Sequence, residues 1–263
     1  MAGNIILILG GTREAIEIAC DLEQIENTTV ITSLAGVTRS PRLPKGKVRY
    51  GGFGGKEGLF DYLIREKITL VIDATHPFAE KITKNACEAS KRANIPLLHF
   101  SRKPWTKTAQ DKWYEVENSK AAASTLTQKD FEGAKNVFLT IGRKDVNCFY
   151  SINTKQFFVR SIEPVKELAC FDNMKWIQGR GPFTFQDEYT FFKEHSIDCL
   201  VAKNSGGYAS HPKINVARFL GVPVVLVQQP KSINVKKIYD REALTAFVSH
   251  HLSGRLNNRA RSS

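Results

Sequence analysis

Two glycines near the start of the chain stand where a phosphate group could bind. Gly10 and Gly11 follow the apolar run Ile5–Leu9, and apolar residues recur at helical spacing after them. A strand, a tight glycine turn and a helix bring free backbone N–H groups and the positive end of a helix dipole to one point. This order of elements predicts a phosphate site and, through it, a nucleotide cofactor.

The turn departs at one position from the dinucleotide fingerprint G-x-G-x-x-G/A. Gly10 and Ala15 occupy the first and third positions of that pattern, but Thr12 stands at the second, where its hydroxyl could itself donate to a phosphate. Glycine also occurs in many strand–helix turns for steric reasons alone. A nucleotide site and an ordinary tight turn therefore both stay open on this motif.

Hydroxyl and guanidinium groups stand at and after the end of the second predicted strand, where a site for NADH usually carries Asp or Glu. The chain offers Thr32 and Ser33 there, and Arg39 and Arg42 a little later. Such groups suit a 2′-phosphate, so this segment favours NADPH over NADH. An ordinary Ser/Thr turn beside a solvated arginine is the alternative interpretation.

Two further strand ends carry candidate site residues. Four glycines surround Phe53 in segment 51–55, which would let the backbone approach a ligand closely. His76 follows a predicted buried strand over 68–74 and could donate a proton beside a cofactor ring; a structural, hydrogen-bonding histidine is the alternative. Asp73, at the end of the same strand, is expected to cap the turn.

Basic side chains lie near the ends of several more predicted strands. Each alone is typical of a solvated surface, but together at one sheet edge they would form a cradle for an anion with several carboxylates. The segment 203–207, Lys-Asn-Ser-Gly-Gly, resembles another phosphate or carboxylate loop. The basic residues of this set are Arg102, Arg143, Arg160, Arg180 and Lys203.

The elements that must position these residues alternate between strand and helix. This alternation predicts an α/β fold of two doubly wound domains with parallel sheets. We place the domains at 1–130 and 131–252, followed by a disordered basic tail over 253–263. The predicted strands cover 28–33, 47–50, 68–74, 96–100, 137–141, 157–162, 199–202 and 222–227, and the predicted helices 56–67, 79–94, 185–195, 211–220 and 239–251.

Composition narrows the class of protein. The chain has 263 residues, 42% of them hydrophobic, which suffices for one large or two ordinary domains. No stretch approaches the roughly 18 apolar residues that cross a membrane, and no signal peptide is evident, so we expect a cytoplasmic protein without a membrane partner. Five scattered cysteines and six dispersed histidines predict no metal site. The formal net charge of +12 indicates an acidic partner.

Nine segments occur in this order along the chain: LGGTREA (9–15), TSLAGVT (32–38), GGFGG (51–55), IDATHPFA (72–79), LTIGR (139–143), RSIEP (160–164), RGPF (180–183), KNSGG (203–207) and ARFLGVPVV (217–225). Together they resemble the precorrin-6A reductase family of corrin biosynthesis. The resemblance implies two Rossmann-like domains with a ligand cleft between them. It also implies a reduced nicotinamide that delivers hydride to macrocycle carbon C19, with a proton added at the adjacent carbon. The substrate would be a tetrapyrrole with many carboxylates, in agreement with the positive charge.

The resemblance also suggests roles for individual residues. Thr75 and His76 would lie near the nicotinamide, with His76 as the catalytic candidate. The cofactor candidates are Gly10, Gly11, Thr12, Arg13, Ser33 and Arg39. From their chemistry we assign the substrate side to Arg102, Arg143, Arg160, Arg180, Lys203 and Asn204. Hydride transfer from nicotinamide needs no metal or flavin.

Alternatives remain at the level of sequence. One branch of the family reduces a metal-free precorrin with NADPH, and the other a cobalt-containing precorrin with NADH; the residues here favour NADPH. Outside the family, the charge alone would suit a basic nucleic-acid-binding protein with a steep salt dependence. A nucleotide-binding sensor without chemistry is the third hypothesis. The reductase hypothesis predicts no nucleic-acid partner, and a monomer is compatible with it.

Overall fold

The computed structural model describes residues 3–36, 43–231, 235 and 237–260, the last of them, from 253 onward, by their backbone alone. Two compact units are present: unit 1 is Met1–Arg102 with Lys231–Ser263, and unit 2 is Lys103–Pro230. Each unit contains a six-stranded sheet in which every pairing is parallel. The predicted α/β class with two parallel-sheet domains is thus confirmed.

Strands and helices alternate along most of the chain. Three short 3-10 helices also occur in the described residues, at Lys129–Phe131, Arg143–Phe149 and Lys166–Cys170. The elements in chain order are β1 (Asn4–Leu9), α1 (Arg13–Leu22), β2 (Thr28–Leu34), β3 (Lys47–Tyr50), α2 (Gly55–Arg65), β4 (Leu70–Asp73), α3 (Glu80–Arg92), β5 (Leu97–Phe100), β6 (Trp113–Val116), α4 (Ser119–Leu126), β7 (Asn136–Thr140), β8 (Gln156–Ser161), β9 (Met174–Gln178), α5 (Phe185–Glu194), β10 (Cys199–Lys203), α6 (Pro212–Leu220), β11 (Val224–Val227), β12 (Lys237–Ile238) and α7 (Arg241–Ala260).

The sheet of unit 1 runs in the order β12-β5-β4-β1-β2-β3, so the chain reverses direction across the sheet between β1 and β4. The central strand β1 is apolar on both faces, as a doubly covered parallel strand requires. Ile6 and Ile8 pack in one core, with residues of α1 and α7. Leu7 and Leu9 pack in the other, with residues of α2 and α3. This fixes β1, and the turn after it, at the centre of the unit.

The sheet of unit 2 has the order β6-β11-β10-β7-β8-β9, with its reversal between β7 and β10. The two sheets have the same strand arrangement on either side of the reversal. They differ at one edge: in unit 2 the outermost strand, β6, is the first strand of the unit along the chain, whereas in unit 1 the corresponding strand, β12, is the last. A core rich in aromatic residues lies on one face, where Phe138, Phe158 and Phe192 pack with Trp113. The two units therefore share one topology with different connections.

The structure moves the predicted domain boundaries. Strand β6, which sequence periodicity did not indicate, pairs with β11 through Trp113 and Val224, so unit 2 starts near residue 103 and not at 131. At the other end, Leu244 and Val248 of α7 are fully buried in the core of unit 1, so this helix belongs to the first unit and not the second. Both corrections have one cause: sheet pairing and burial depend on contacts between segments far apart in sequence.

The predicted disordered tail is also corrected in part. Helix α7 extends to Ala260, through most of the segment 253–263. Residues 261–263 lie outside the described residues. Across the part of the chain that the structure describes, no helix is both long and apolar enough to cross a membrane.

Candidate functional site

Ligands of open parallel sheets bind at the carboxyl ends of the strands, where the strand order reverses. In unit 1 this point lies between the ends of β1 and β4, which pair through Leu9 and Asp73. In unit 2 it lies between the ends of β7 and β10, which pair through Thr140 and Ala202. The predicted site residues that the structure describes lie at or after strand ends, some in unit 1 and the others in unit 2.

The glycine turn of unit 1 is shaped for close approach. The Gly10 N–H donates to the Ser33 carbonyl at 2.9 Å, and a Cβ on Gly10 would meet Thr32 Cγ2 at 3.0 Å. Gly11 has φ +104°, which a side chain rarely adopts, and no atom lies within 4 Å of its Cβ position. The turn is therefore tight on its inner side and open on its outer side.

Thr12 is the N-cap of α1, and its hydroxyl is fully engaged within the protein. Its Oγ1 accepts from the Ala15 N–H at 3.1 Å and donates to the Ala74 carbonyl at 2.7 Å. The hydroxyl proton therefore forms a hydrogen bond that links the turn to the residue after β4. It is not directed at a phosphate, as the sequence suggested. Arg13 lies next along the helix, 63% exposed and 2.8 Å from Glu17.

Ser33, near the end of β2, is held by an arginine that the sequence argument did not single out. Arg49 donates from Nη1 to Ser33 Oγ at 2.7 Å, and it also donates to the carbonyls of Gly51 and Gly52 at 3.0 and 3.1 Å. The parallel register of β2 and β3, which places Ser33 opposite Arg49, is the feature that would have pointed to this arginine. Arg39, the other predicted phosphate ligand, lies outside the described residues, as does Arg42.

A buried carboxylate organises the loop after β4. Asp73 is fully buried, and its Oδ1 accepts from both the N–H and the hydroxyl of Thr75, at 3.0 and 2.7 Å. Its Oδ2 accepts from Thr83 Oγ1 at 2.6 Å and lies 3.1 Å from His99 Nδ1. Thr75, predicted to lie beside the nicotinamide, therefore has its hydroxyl proton directed at Asp73.

These contacts decide the ionisation of Asp73. Burial alone would raise the pKa of the carboxyl, but the hydrogen bonds from His99, Thr75 and Thr83 outweigh burial and hold that pKa below its usual value. His99 is a second residue that the sequence argument missed. It stands opposite Asp73 in the register of β4 and β5, so only strand pairing could have indicated it.

His76 is exposed on the loop that Asp73 organises. Its Nδ1 accepts from the Phe78 N–H at 3.3 Å, which leaves the proton of the neutral ring on Nε2. Its carbonyl accepts from the Ala79 N–H at 2.8 Å, so the loop is fixed on both sides of the ring. The imidazole is therefore oriented and accessible, as a proton donor to a bound molecule must be.

The unit 1 edge fits the phosphates of a nucleotide cofactor. The first turn of α1 has backbone N–H groups without helical acceptors, at the positive end of the helix dipole, directly after the open side of Gly11. Thr32 Oγ1, buried beside Gly10, has no hydrogen-bond partner among the described residues. Within those same residues, no group of three or more metal-ligating side chains is found.

The basic residues assigned to the substrate do not share one sheet edge. Arg102 belongs to unit 1, where its Nη2 donates to Glu14 in the first turn of α1 at 2.5 Å. The remaining members lie in unit 2. The set therefore comprises one arginine at the sheet of unit 1 and a group of residues at the sheet of unit 2.

Arg160 is engaged within unit 2 by one carboxylate and three rings. Its side chain is 9% exposed and donates to Glu188 at 2.8 Å, and the guanidinium lies over the rings of Phe138, Phe183 and Phe191 at 4.5, 4.1 and 4.8 Å. These contacts favour a structural role for Arg160 over the substrate contact that the sequence predicts.

Asn204 is also structural. It is 1% exposed, its Oδ1 accepts from the Trp105 N–H at 2.8 Å, and its Nδ2 donates to the Trp105 carbonyl and to Gln228. Trp105 in turn donates from Nε1 to the Gly207 carbonyl at 2.9 Å. Asn204 therefore holds the segment before β6 against the loop after β10, and its amide is not available to a substrate.

Three basic residues remain at the strand ends of unit 2. Lys203, the last residue of β10, pairs with Asp145. Arg143 follows Gly142 at the start of the 3-10 helix after β7. Arg180 follows β9 in the segment that contains the cis peptide bond Gly181–Pro182. These three stay candidates for contact with carboxylates.

Comparison with known proteins gives a consistent result. A sequence model of the family described as precorrin-6x reductase CbiJ/CobK matches residues 5–249. The chain is 40% identical over 225 residues to a precorrin-6A reductase of Rhodococcus erythropolis, covering 86% of this chain and 89% of that protein. It is 37% identical over 248 residues to a precorrin-6A reductase of Sinorhizobium sp, covering 94% of each.

Two further comparisons bear on the branch of the family and on the fold. A cobalt-precorrin-6A reductase of Priestia megaterium is 27% identical over 241 residues, covering 86% of this chain and 91% of that protein. A solved structure named CobK precorrin-6A reductase superposes with a TM-score of 0.87 at 34% identity, covering 94% of this chain and 97% of that chain. The resemblance stated from nine sequence segments is confirmed by these matches.

Proposed function

The chain belongs to the precorrin-6x reductase family CbiJ/CobK and reduces precorrin-6A in cobalamin biosynthesis; we propose that NADPH is its hydride donor and that the cofactor binds at the carboxyl edge of unit 1. The observation that supports this most is the Gly10–Gly11 turn, tight against Thr32 on one side and open on the other, at the start of α1. Such a turn accepts a pyrophosphate because backbone N–H groups can reach it without obstruction.

Each residue of the unit 1 edge has a proposed task. Gly10, Gly11 and the first-turn N–H groups of α1 hold the pyrophosphate, while Thr12 fixes the turn to β4 and does not itself contact phosphate. Ser33 lies at the end of β2, where the ribose of such cofactors is recognised. Arg13 is exposed beside the turn and adds positive charge.

The chemistry requires a hydride and a proton. NADPH, when bound, supplies the hydride for macrocycle carbon C19, and a proton is added at the adjacent carbon. We assign the proton to His76, whose exposed ring accepts from the Phe78 N–H and whose carbonyl accepts from the Ala79 N–H. Asp73 and Thr75 keep the loop in one conformation, so the donor is positioned before the substrate arrives.

The substrate is a tetrapyrrole whose acetate and propionate carboxylates need cationic partners. We propose Arg143, Arg180 and Lys203 of unit 2 as partners of these carboxylates, whereas Arg102 of unit 1 pairs with Glu14. The net charge of +12 serves the same purpose by attracting a polyanion. We propose the metal-free precorrin as substrate, because relatives named precorrin-6A reductase are 37–40% identical to this chain and relatives named cobalt-precorrin-6A reductase are 24–27% identical.

Calorimetric titration with NADPH and NADH, followed by turnover with precorrin-6A and with its cobalt form, tests the proposal. We expect tighter binding of NADPH and faster oxidation of NADPH with the metal-free substrate. Preference for NADH would overturn the cofactor assignment, and faster turnover of the cobalt form would overturn the substrate assignment. Steep, salt-dependent RNA binding without reductase activity would instead support the nucleic-acid alternative.

The role of His76 is tested by separating binding from chemistry. His76→Gln should lower kcat by about a hundredfold or more, the usual contribution of a general acid, and leave the Kd for NADPH unchanged. Asn147→Gln on the 3-10 helix of unit 2 is a control that should alter neither. An unchanged kcat in His76→Gln would assign the proton to another donor.

A further inference from the structure

We propose that Arg49 is the residue that selects NADPH over NADH, by binding the 2′-phosphate together with Ser33. The inference rests on the proposed binding of the cofactor at the unit 1 edge and goes beyond it, because it assigns the specificity to one side chain on β3. The geometry behind it is the hydrogen bond of 2.7 Å between Arg49 Nη1 and Ser33 Oγ, at the carboxyl ends of two neighbouring strands.

The position of Arg49 follows from strand register. Ser33 on β2 lies opposite Arg49 on β3. The end of β2 is where a dinucleotide fold recognises the ribose of the adenosine half. A residue at the same level of the next strand can therefore reach a group attached to that ribose, provided that its side chain is long and directed back toward β2, as Arg49 is.

The Arg49 guanidinium is held before any ligand binds. It donates to the carbonyls of Gly51 and Gly52, and its Cζ lies 3.8 Å from the centre of the Phe53 ring and 5.1 Å from that of Tyr62. Two carbonyls, one hydroxyl and two rings fix the plane of the group. A fixed guanidinium loses little rotamer freedom on binding an anion, which favours affinity.

Donors remain on both members of the pair. Of the five guanidinium N–H groups, two on Nη1 and one on Nη2 account for the described bonds, so Nε–H and one Nη2–H remain for a ligand. Ser33 Oγ accepts from Arg49, which leaves its own proton to donate. These N–H and O–H groups are the donors that Arg49 and Ser33 can offer to a phosphate dianion.

The charge of Arg49 is not neutralised by the protein. Arg102, Arg160 and Arg218 each pair with a carboxylate, at 2.5, 2.8 and 2.9 Å. Among the residues that the structure describes, Arg49 has no carboxylate partner, and its neighbours are hydroxyls, carbonyls and rings. A partly exposed cation without a carboxylate partner in the described residues is suited to receive an anion from a ligand.

The same region lacks the acidic residue that a site for NADH typically uses. A site for NADH uses Asp or Glu to accept from the ribose hydroxyls. No acidic residue occurs anywhere from Thr28 to Lys56, the segment that contains β2, β3 and the glycine loop. Loss of the Arg49 donors should therefore remove the preference for NADPH without creating an affinity for NADH.

The experiment measures Kd by calorimetry for NADPH, NADH and 2′,5′-ADP with wild type, Arg49→Met, Arg49→Lys and Ser33→Ala. We expect Arg49→Met to weaken binding of NADPH and 2′,5′-ADP by about ten- to a hundredfold, as for charge-assisted hydrogen bonds, and that of NADH by less than about twofold. Arg49→Lys should lie between, since it keeps the charge and loses the planar fork. Arg65→Met is the control, because Arg65 lies over the same Tyr62 ring at 5.2 Å and pairs with Glu66.

The outcomes are distinguishable. Equal weakening of NADPH and NADH in Arg49→Met, or no change in either, would overturn the inference, because Arg49 would then only support the glycine loop or do nothing at the site. Wild type that binds NADH as tightly as NADPH would instead overturn the proposed cofactor. An unchanged thermal transition in Arg49→Lys would show that the loss of affinity does not come from unfolding.

Discussion

Units 1 and 2 have the same strand arrangement but present different groups at the point where the strand order reverses. In unit 1 the central strand leads through Gly10 and Gly11 directly into the ten-residue helix α1, so backbone N–H groups are the donors at the edge. In unit 2 the corresponding strand leads through Gly142 into a seven-residue 3-10 helix, and charged side chains, Arg143, Asp145 and Lys203, stand at the edge.

The difference shows that topology gives the place of a site and the following turn gives its chemistry. An α-helix of several turns concentrates positive potential at its N-terminus, which suits phosphate. A short 3-10 helix has poorer hydrogen-bond alignment, so an anion there must be bound by side chains. Separate carboxylates around a large macrocycle are better met by separate cations than by one helix end.

The largest effect is expected from the buried ion pair of unit 2. Arg160→Met leaves Glu188, whose side chain is 3% exposed, charged and unpaired, and should destabilise the protein by about 3–5 kcal/mol in urea unfolding. The double variant Arg160→Met/Glu188→Leu should recover most of this loss. A stable Arg160→Met protein with a raised KM for the tetrapyrrole would contradict the structural role and restore the residue to the substrate site.

The next largest effect is expected from the buried carboxylate of Asp73 in unit 1, whose contribution to stability can be compared with that of Asp111 in unit 2. Hydrogen bonds hold the pKa of Asp73 low, and beside Arg218 that of Asp111 is also low although burial opposes it. A carboxyl with a lowered folded pKa stabilises the fold above its unfolded pKa of about 3.9 and loses this contribution as the pH falls through the folded pKa.

Asp73→Asn should therefore cost about 2 kcal/mol at neutral pH, within the range for hydrogen bonds to a charged group, and progressively less below about pH 4. Asp111→Asn should show the same direction, with a stronger dependence on salt because its partner Arg218 is charged and partly exposed. Unfolding curves at several pH values measure both. A cost of Asp73→Asn that stays constant down to pH 3 would contradict the prediction.

The two glycine turns give a sharper comparison of function. Gly11 and Gly142 have φ values of +104° and +84°, and an added Cβ would meet no atom within 4 Å at either position. Alanine should strain both backbones by a similar amount, about 1–3 kcal/mol. Only Gly11→Ala should weaken NADPH binding, by about tenfold or 1.4 kcal/mol. Equal effects of the two variants on the Kd for NADPH would break the contrast between the units.

The smallest effect is expected at the helix caps. Thr12 caps α1 of unit 1 and Thr184 caps α5 of unit 2, each through its hydroxyl oxygen. Alanine at either position should cost about 1 kcal/mol of stability, and serine should restore it. Thr12→Ala should also weaken NADPH binding a few-fold, because Thr12 joins the turn to Ala74. Retained NADPH affinity in Thr12→Ala would mean that α1 holds its position without that bond.

Much of the fold was predictable because it depends on local pattern. The strand over 47–50 was predicted with the bounds observed, and most other central strands and helices were predicted within a few residues. Their patterns, continuous apolar runs and helical periodicity, can be read from neighbouring residues. The strands at the sheet edges were not predicted in this way. Strand β6 and strand β12 are short and gain their stability from β11 and β5, far away in the chain, so no local signal marks them.

The residues of the candidate site likewise fall into those that local sequence could indicate and those that only strand pairing reveals. Residues directly after strands, such as Gly10, Ser33 and His76, could be found because the carboxyl edge of a parallel sheet follows from strand order. Arg49 and His99 could not, because each acts on a residue of a neighbouring strand, Ser33 and Asp73, at a register that the sequence does not state.

By itself the sequence determined the family, the α/β class and the glycine turn, because those depend on the identity and order of neighbouring residues. Only the tertiary structure decided which cations are available to a ligand. Arg160 and Arg49 look alike as residues at strand ends, yet one is paired with Glu188 inside an aromatic box and the other has no carboxylate within the described chain. The physical reason is that the free energy of a charge depends on the groups around it, and those are brought together by folding.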